Sequence, residues 1–112
     1  MNGLGRTARE SNLETFFRKQ VRLAGGHTIK LAPTEAGVPD RLVIFPEDRL
    51  FLVELKREDT SLRPIQRVWH ERMRAQYHVH VYTLHGRDGI LAWLRQTAPD
   101  AGDNRAEGAA IG

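Results

Sequence analysis

The stretch Gly37-Val38-Pro39-Asp40-Arg41-Leu42-Val43-Ile44-Phe45-Pro46-Glu47-Asp48-Arg49-Leu50-Phe51-Leu52-Val53-Glu54-Leu55-Lys56 decides how this chain folds. Leu42 to Phe45 and Leu50 to Val53 are short apolar runs of residues that suit strands. Pro46-Glu47-Asp48 between them has the chemistry of a turn, so the two runs should form a hairpin. Glu54 and Lys56 are two apart and therefore share one side of the second strand. Chain reversal brings Asp40, which opens the first strand, back beside them. Two carboxylates and an amine then meet at one end of the hairpin, an arrangement suited to a divalent cation. A Glu-Xaa-Lys strand end taken alone is equally the solvated rim of a sheet. Gly37 and Pro39, which restrict the backbone just ahead of Asp40, move the balance toward a built site.

That site makes a demand on register. Directly opposed residues of an antiparallel pair share a face, and a one-residue slip reverses every side chain. A two-residue turn at Glu47-Asp48 pairs Pro46 with Arg49 and sends Asp40 to the wrong face. A three-residue loop, Pro46-Glu47-Asp48, pairs Phe45 with Arg49, Leu42 with Leu52 and Asp40 with Glu54. The odd-length loop, or a bulge of the same effect, is the expectation.

Gly-Val-Pro-Asp-Arg-Leu, followed by Val-Glu-Leu-Lys and then by Pro64-Ile65-Gln66, resembles the VRR-NUC (virus-type replication-repair nuclease) branch of the PD-(D/E)XK nucleases. The resemblance runs from about Glu14 to the strand near Tyr82. It implies a restriction-endonuclease-like core and hydrolysis of a phosphodiester with Mg²⁺ or Mn²⁺. Asp40 and Glu54 would hold the metal, with the backbone carbonyl of Leu55, and Lys56 would assist at the reacting phosphate. Gln66, and a helical glutamate near the metal, would be supporting catalytic residues. Lys30 and Arg41 are the candidate nucleic-acid contacts on the strands, and Arg63 and Arg67, which share a side of a helix at i,i+4, those beyond them.

Several of these residues also have plain structural readings. Ser11 can cap a helix and Glu14 can complete its capping box, so Glu14 is either the capping partner or the helical acid of the site. Glu10, one turn earlier, is the other candidate for that acid. Lys30 and the arginines of the second helix could equally be solvated.

The rest of the chain follows in order. Residues 1–10 are polar and are expected to form a loose leader. Leu13, Phe16, Phe17, Gln20, Val21 and Ala24 have helical spacing, and Gly25-Gly26 ends that helix. A strand should follow from His27 to Ala32. Pro64 suits the first turn of a helix running to about Gln76, with Ile65, Val68, Trp69 and Met73 toward the core. Val79 to Leu84 reads as a fourth strand, Gly86 as a turn and Asp88 to Gln96 as a last helix. The tail from 98 to 112 has little to bury and should be flexible. The order αβββαβα gives an α/β fold with a mixed four-stranded sheet flanked by helices. Residues 11–97 make up the one expected domain, and the parallel crossover should be right-handed.

Composition narrows the function classes. With 112 residues, 40% hydrophobic and 28% charged, the chain has the balance of one globular domain. It holds no cysteine, which excludes a disulfide framework and a thiolate zinc site. Five histidines lack metal-binding spacing and read as surface or partly buried. No apolar run could span a membrane, and no signal-peptide core opens the chain. An intracellular, cytoplasmic protein is expected, and the resemblance to a virus-type family implies one encoded by a phage in a bacterial host. Fourteen of seventeen basic residues are arginine and the net charge is +3, a bias that suits phosphate contact. The expected partner is DNA, branched as for a Holliday-junction resolvase, cut by a homodimer. Flap, nick or sequence-specific cleavage and a non-catalytic DNA-binding module are the alternatives.

Overall fold

A computed structural model describes the backbone of residues 2–98 and side chains from residue 12 onward. The elements are α1 (Asn2–Leu23), β1 (His27–Lys30), β2 (Arg41–Phe45), β3 (Arg49–Lys56), α2 (Pro64–Tyr77), β4 (Val81–His85) and α3 (Gly86–Thr97). The sheet order is β1-β2-β3-β4, with antiparallel pairing through β3 and a parallel β3–β4 pair reached through α2. This is the expected mixed sheet flanked by helices.

The hairpin has the predicted register. Phe45 pairs with Arg49, Leu42 with Leu52 and Arg41 with Val53, so the next position outward sets Asp40 against Glu54. The three-residue loop achieves this by placing Glu47 and Asp48 in the left-handed region, with φ of 67° and 62°. Both side chains are exposed.

Alternation divides the sheet into two unlike faces. Val43, Phe45, Phe51, Val53 and Leu84 point to one side and pack under α1 and α3, against Phe17, Val21, Ile90, Trp93 and Leu94. Trp93 is the centre of this layer: its ring lies 5.5 Å from Phe51, edge on, and 6.3 Å from Phe17. Each fully buried aromatic or aliphatic side chain here contributes about 1.5–3 kcal/mol of transfer free energy. The other face carries Ile44, Leu50, Glu54 and Thr83 and is covered only in part, by α2.

The structure differs from the sequence reading in several places. The helical backbone of α1 starts at Asn2, so Ser11 lies inside a helix and the Ser11–Glu14 capping box does not form. Leu4, Arg6, Ala8, Arg9 and Glu10 all favour helix and no proline interrupts them. The helical path therefore replaces the expected leader, while the tail from 99 onward lies outside the described residues. Helix α2 also turns a different face to the sheet. Gln66 and His70 are buried, whereas Ile65 and Val68 are 51% and 62% exposed. The usual rule of an apolar stripe facing the core gives way at the start of α2 because Glu54 lies beneath it, and Gln66 Nε2 donates to that buried carboxylate. Finally, His70 is fully buried, neither on the surface nor partly exposed.

The loop stores strain that can be tested. An L-residue in the left-handed region costs roughly 1–2 kcal/mol, and most for β-branched side chains. Glu47→Gly should raise the free energy of unfolding by up to about 1 kcal/mol, and Glu47→Val should lower it. Urea denaturation of the two variants checks both signs.

Candidate nuclease site

The segment ahead of Asp40 is held by its fit against α2. Gly37 has φ of 95°, and a Cβ there would meet the Ile65 carbonyl oxygen at 2.7 Å and the Trp69 Cβ at 2.8 Å. Trp69 Nε1 donates to Glu35 Oε1 at 2.6 Å, and the buried Pro39 leads directly into the acid. The Leu31 amide donates to the Asp40 carbonyl oxygen at 2.7 Å, extending the β1–β2 pairing by one rung. Asp40 is thereby fixed in its backbone, and its Oδ2 accepts from the Leu55 amide at 3.4 Å.

Glu54 is 3% exposed. Its Oε2 accepts from Gln66 Nε2 at 3.3 Å and lies 4.0 Å from Lys56 Nζ. The Gln66 amide is oriented in turn, because its Oε1 accepts the Arg63 backbone N–H at 2.9 Å, at the start of α2. The glutamine thus closes the helix end and presents its NH₂ to the carboxylate. Glu54 Oε1 is buried with no hydrogen-bond partner. Burial, then the charge of Asp40, push the Glu54 carboxyl up to about 8. An orphaned oxygen on a buried acid beside a second acid fits a hard cation, which would satisfy both. Among the described residues no three His, Cys, Asp or Glu side chains cluster for a metal. The protein donors there are the two carboxylates, and Leu55 lines the same cleft. Remaining positions would fall to water and phosphate oxygens, as suits Mg²⁺.

These groups line an open cleft of about 560 Å³ that also takes in Leu55, Glu14, Lys30 and Arg63. Of the sequence candidates, Asp40, Glu54, Leu55, Lys56, Gln66, Glu14, Lys30 and Arg63 therefore come together. Arg67 is exposed on α2 and does not line the cleft. Arg41 has a different place from the one expected. It is 4% exposed, its Nη1 donates to Glu14 Oε1 at 3.0 Å and its Nε to Thr28 Oγ1 at 3.2 Å. It points to the α1 side of the sheet because it is one residue from Asp40, and its guanidinium holds Glu14 rather than meeting solvent. Burial lowers its pKa, with Glu14 acting in the opposite sense. Glu14 also lies 3.5 Å from Lys30 Nζ, so among the described side chains it meets two cations.

Sequence reasoning missed Arg57, Thr60 and Ser61, which line the cleft mouth in the link before α2. Their polarity gave no signal that set them apart from an ordinary loop. It also missed His70, which sits one turn beyond Gln66 with both ring nitrogens unpartnered. Burial, then Arg74 and Lys56, lower its pKa and keep it neutral. The i,i+4 spacing from Gln66 was the available signal.

The fold and its acidic cleft define a restriction-endonuclease-like nuclease domain. No family model matches the chain. Over 74 residues it is 36% identical to "Putative nuclease p44" of Acyrthosiphon pisum secondary endosymbiont phage 1, a match covering 65% of this chain and 80% of that protein. A solved structure described as "VRR_NUC domain" aligns with a TM-score of 0.70 at 27% identity, covering 77% of this chain and 94% of that one. The chain belongs to the VRR-NUC family of nucleases.

The raised Glu54 pKa gives a sign for pH dependence. The folded carboxyl binds its proton more tightly than the unfolded one, whose ordinary value is 4.5. Metal-free protein should lose stability as pH rises from about 4.5 toward about 8. His70 works in the opposite sense, but its unfolded form is already neutral above about 6.5. Between pH 6.5 and 8 the melting temperature in EDTA should therefore fall, and Glu54→Gln should flatten that slope.

Proposed function

We propose that this nuclease is a metal-dependent DNA endonuclease, and the observation that carries the reading is that Asp40 and the buried Glu54 line one cleft, brought to the same face by the β2–β3 register. A divalent cation bound between them would polarise the scissile phosphate and lower the pKa of a bound water. The chain's own residues prepare that chemistry. Asp40 and Glu54 offer oxygen ligands whose repulsion a cation relieves. Gln66 holds Glu54 by one oxygen and leaves the other free. Lys56, only 13% exposed in its side chain, keeps a positive charge at the cleft wall where charge develops on the phosphate. Lys30 and Arg63 flank the acids and suit the phosphates on either side.

Asp40→Ala and Glu54→Ala should each reduce cleavage by at least about a hundredfold while DNA binding largely survives. Gln66→Ala should instead raise the metal concentration needed for half-maximal cleavage, by about 10–100-fold. Cleavage of labelled linear and branched DNAs with Mg²⁺, Mn²⁺ or EDTA reads both effects. Undiminished cutting by both acid variants, or in EDTA, overturns the assignment.

Branched DNA is the proposed substrate and a homodimer the proposed cutting form, since two sites related by a two-fold axis suit two strands of a junction. Exposed Ile65 and Val68, neighbours on the outer side of α2, support an interface there. Light scattering should give twice the chain mass, and a monomer at high concentration with junction DNA present counts against this form. The acidic pair disfavours a non-catalytic DNA-binding module, which would have no use for buried carboxylates without a cation.

A further inference from the structure

The charge of this chain is unevenly spread. Between Thr15 and Thr34 there are four Lys or Arg residues and no Asp or Glu, so this hairpin of α1 and β1 carries +4 against a net +3 for the whole chain. Its cations are also arranged. Glu14, Arg18 and Arg22 are at i, i+4 and i+8 and form one line along the helix. Glu14 fixes which way that line faces, because it touches Lys30 of β1 and Arg41 of β2. The far side of α1 is turned to α3, where the Arg87 guanidinium lies 4.7 Å over the ring of Phe16. Phe16 and Arg18 are two residues, or about 200°, apart around the helix. Arg18 is near enough for its charge to bear on Arg41.

Arg18 and Arg22 are exposed, and among the described residues no carboxylate forms an ion pair with either. β1 is the edge strand of the sheet and returns antiparallel to β2, from His27 beyond the end of α1 to Lys30 at the cleft. Lys30, 67% exposed in its side chain, lines the cleft itself. Arg22 lies about 12 Å along the helix from Glu14, at about 1.5 Å per residue. That span matches three to four nucleotides of axial rise at about 3.4 Å each.

We propose that the α1–β1 edge is a backbone track, on which Lys30, Arg18 and Arg22 take successive phosphates of the nucleic-acid strand leaving the cleft. The proposal rests on the nuclease reading of that cleft and adds a direction to it: the strand runs from the acids toward the Gly25-Gly26 turn, away from α2. Its ligand is the sugar–phosphate backbone, so the track adds affinity without sequence preference.

The test measures binding of a short fluorescent DNA duplex by anisotropy across a salt series, with Ca²⁺ present, and single-turnover cleavage with Mg²⁺ at saturating DNA. The proteins are the parent chain, Arg18→Ala/Arg22→Ala, and Lys19→Ala, which removes a charge turned a further 100° or so around the helix from Arg18. Each phosphate that a variant no longer neutralises should lower the log–log salt slope by about one. The double variant should therefore lose about two, bind roughly ten- to a hundredfold more weakly at low salt, and cut at the parent rate once saturated. Lys19→Ala should change the slope little. Thermal midpoints close to the parent's verify folding, and Arg18→Lys/Arg22→Lys should restore the slope. An unchanged slope in the double variant overturns the track while leaving the nuclease assignment standing. A loss per charge removed as large in Lys19→Ala as in the double variant overturns it too, since net charge would then suffice. A parent chain that neither binds nor cuts DNA removes both readings.

Discussion

Two carboxylates held opposite each other across an antiparallel pair are unfavourable until something positive lies between them, and much of this molecule serves to hold Asp40 and Glu54 in that position. The three-residue loop sets the register and accepts two left-handed residues to do so. The Gly37–Pro39 segment packs so closely on α2 that a methyl group has no room at Gly37. Gln66 fastens the start of α2 to Glu54. The strain is local, and the buried aromatic layer on the opposite face of the sheet supplies the stability that sustains it.

The two faces of the sheet therefore do different work. Under α1 and α3 the packing is apolar and dense, with Phe17, Phe45, Phe51 and Trp93 stacked, tilted or edge-on against one another. Under α2 it is polar: Gln66, His70, Glu54 and Thr83 are all wholly or partly removed from water. A polar layer of this kind gains little from burial and depends on satisfied partners. Arg74 supplies one such tie, donating through Nε and Nη2 to the Val81 carbonyl oxygen at 3.1 and 2.7 Å. Ile65 and Val68 of α2 are left outside.

Arg41 links the two layers. It neighbours Asp40 in sequence, so alternation sends it to the opposite face, where it engages Glu14 of α1. The cleft is thus bounded by an acid whose charge is met by Arg41 and Lys30, and the α1 surface beyond it is free of acids as far as Thr34. Positive charge surrounding an acidic centre would reconcile two needs of the proposed chemistry, attraction of a polyanion and carboxylates that could hold a cation.

The sequence by itself determined the hairpin, its register and the acids it pairs. Those features follow from alternation and from loop length, which depend on neighbours within a few residues, and Gly37-Val38-Pro39-Asp40 with Glu54-Leu55-Lys56 carried the family resemblance as well. Where α2 would turn its polar face, and whether Arg41 would meet solvent, were decided only by the tertiary structure. The hydrophobic spacing of Ile65, Val68 and Trp69 pointed inward under a rule that assumes an apolar sheet beneath. The sheet beneath the start of α2 presents Glu54, and Gln66, whose amide donates to that carboxylate, is the side chain drawn inward. Arg41 could be assigned to Glu14 only once α1 lay over β2, a contact between residues 27 positions apart. Local pattern fixes which residues share a face; which partner covers that face depends on packing between elements that the pattern does not describe.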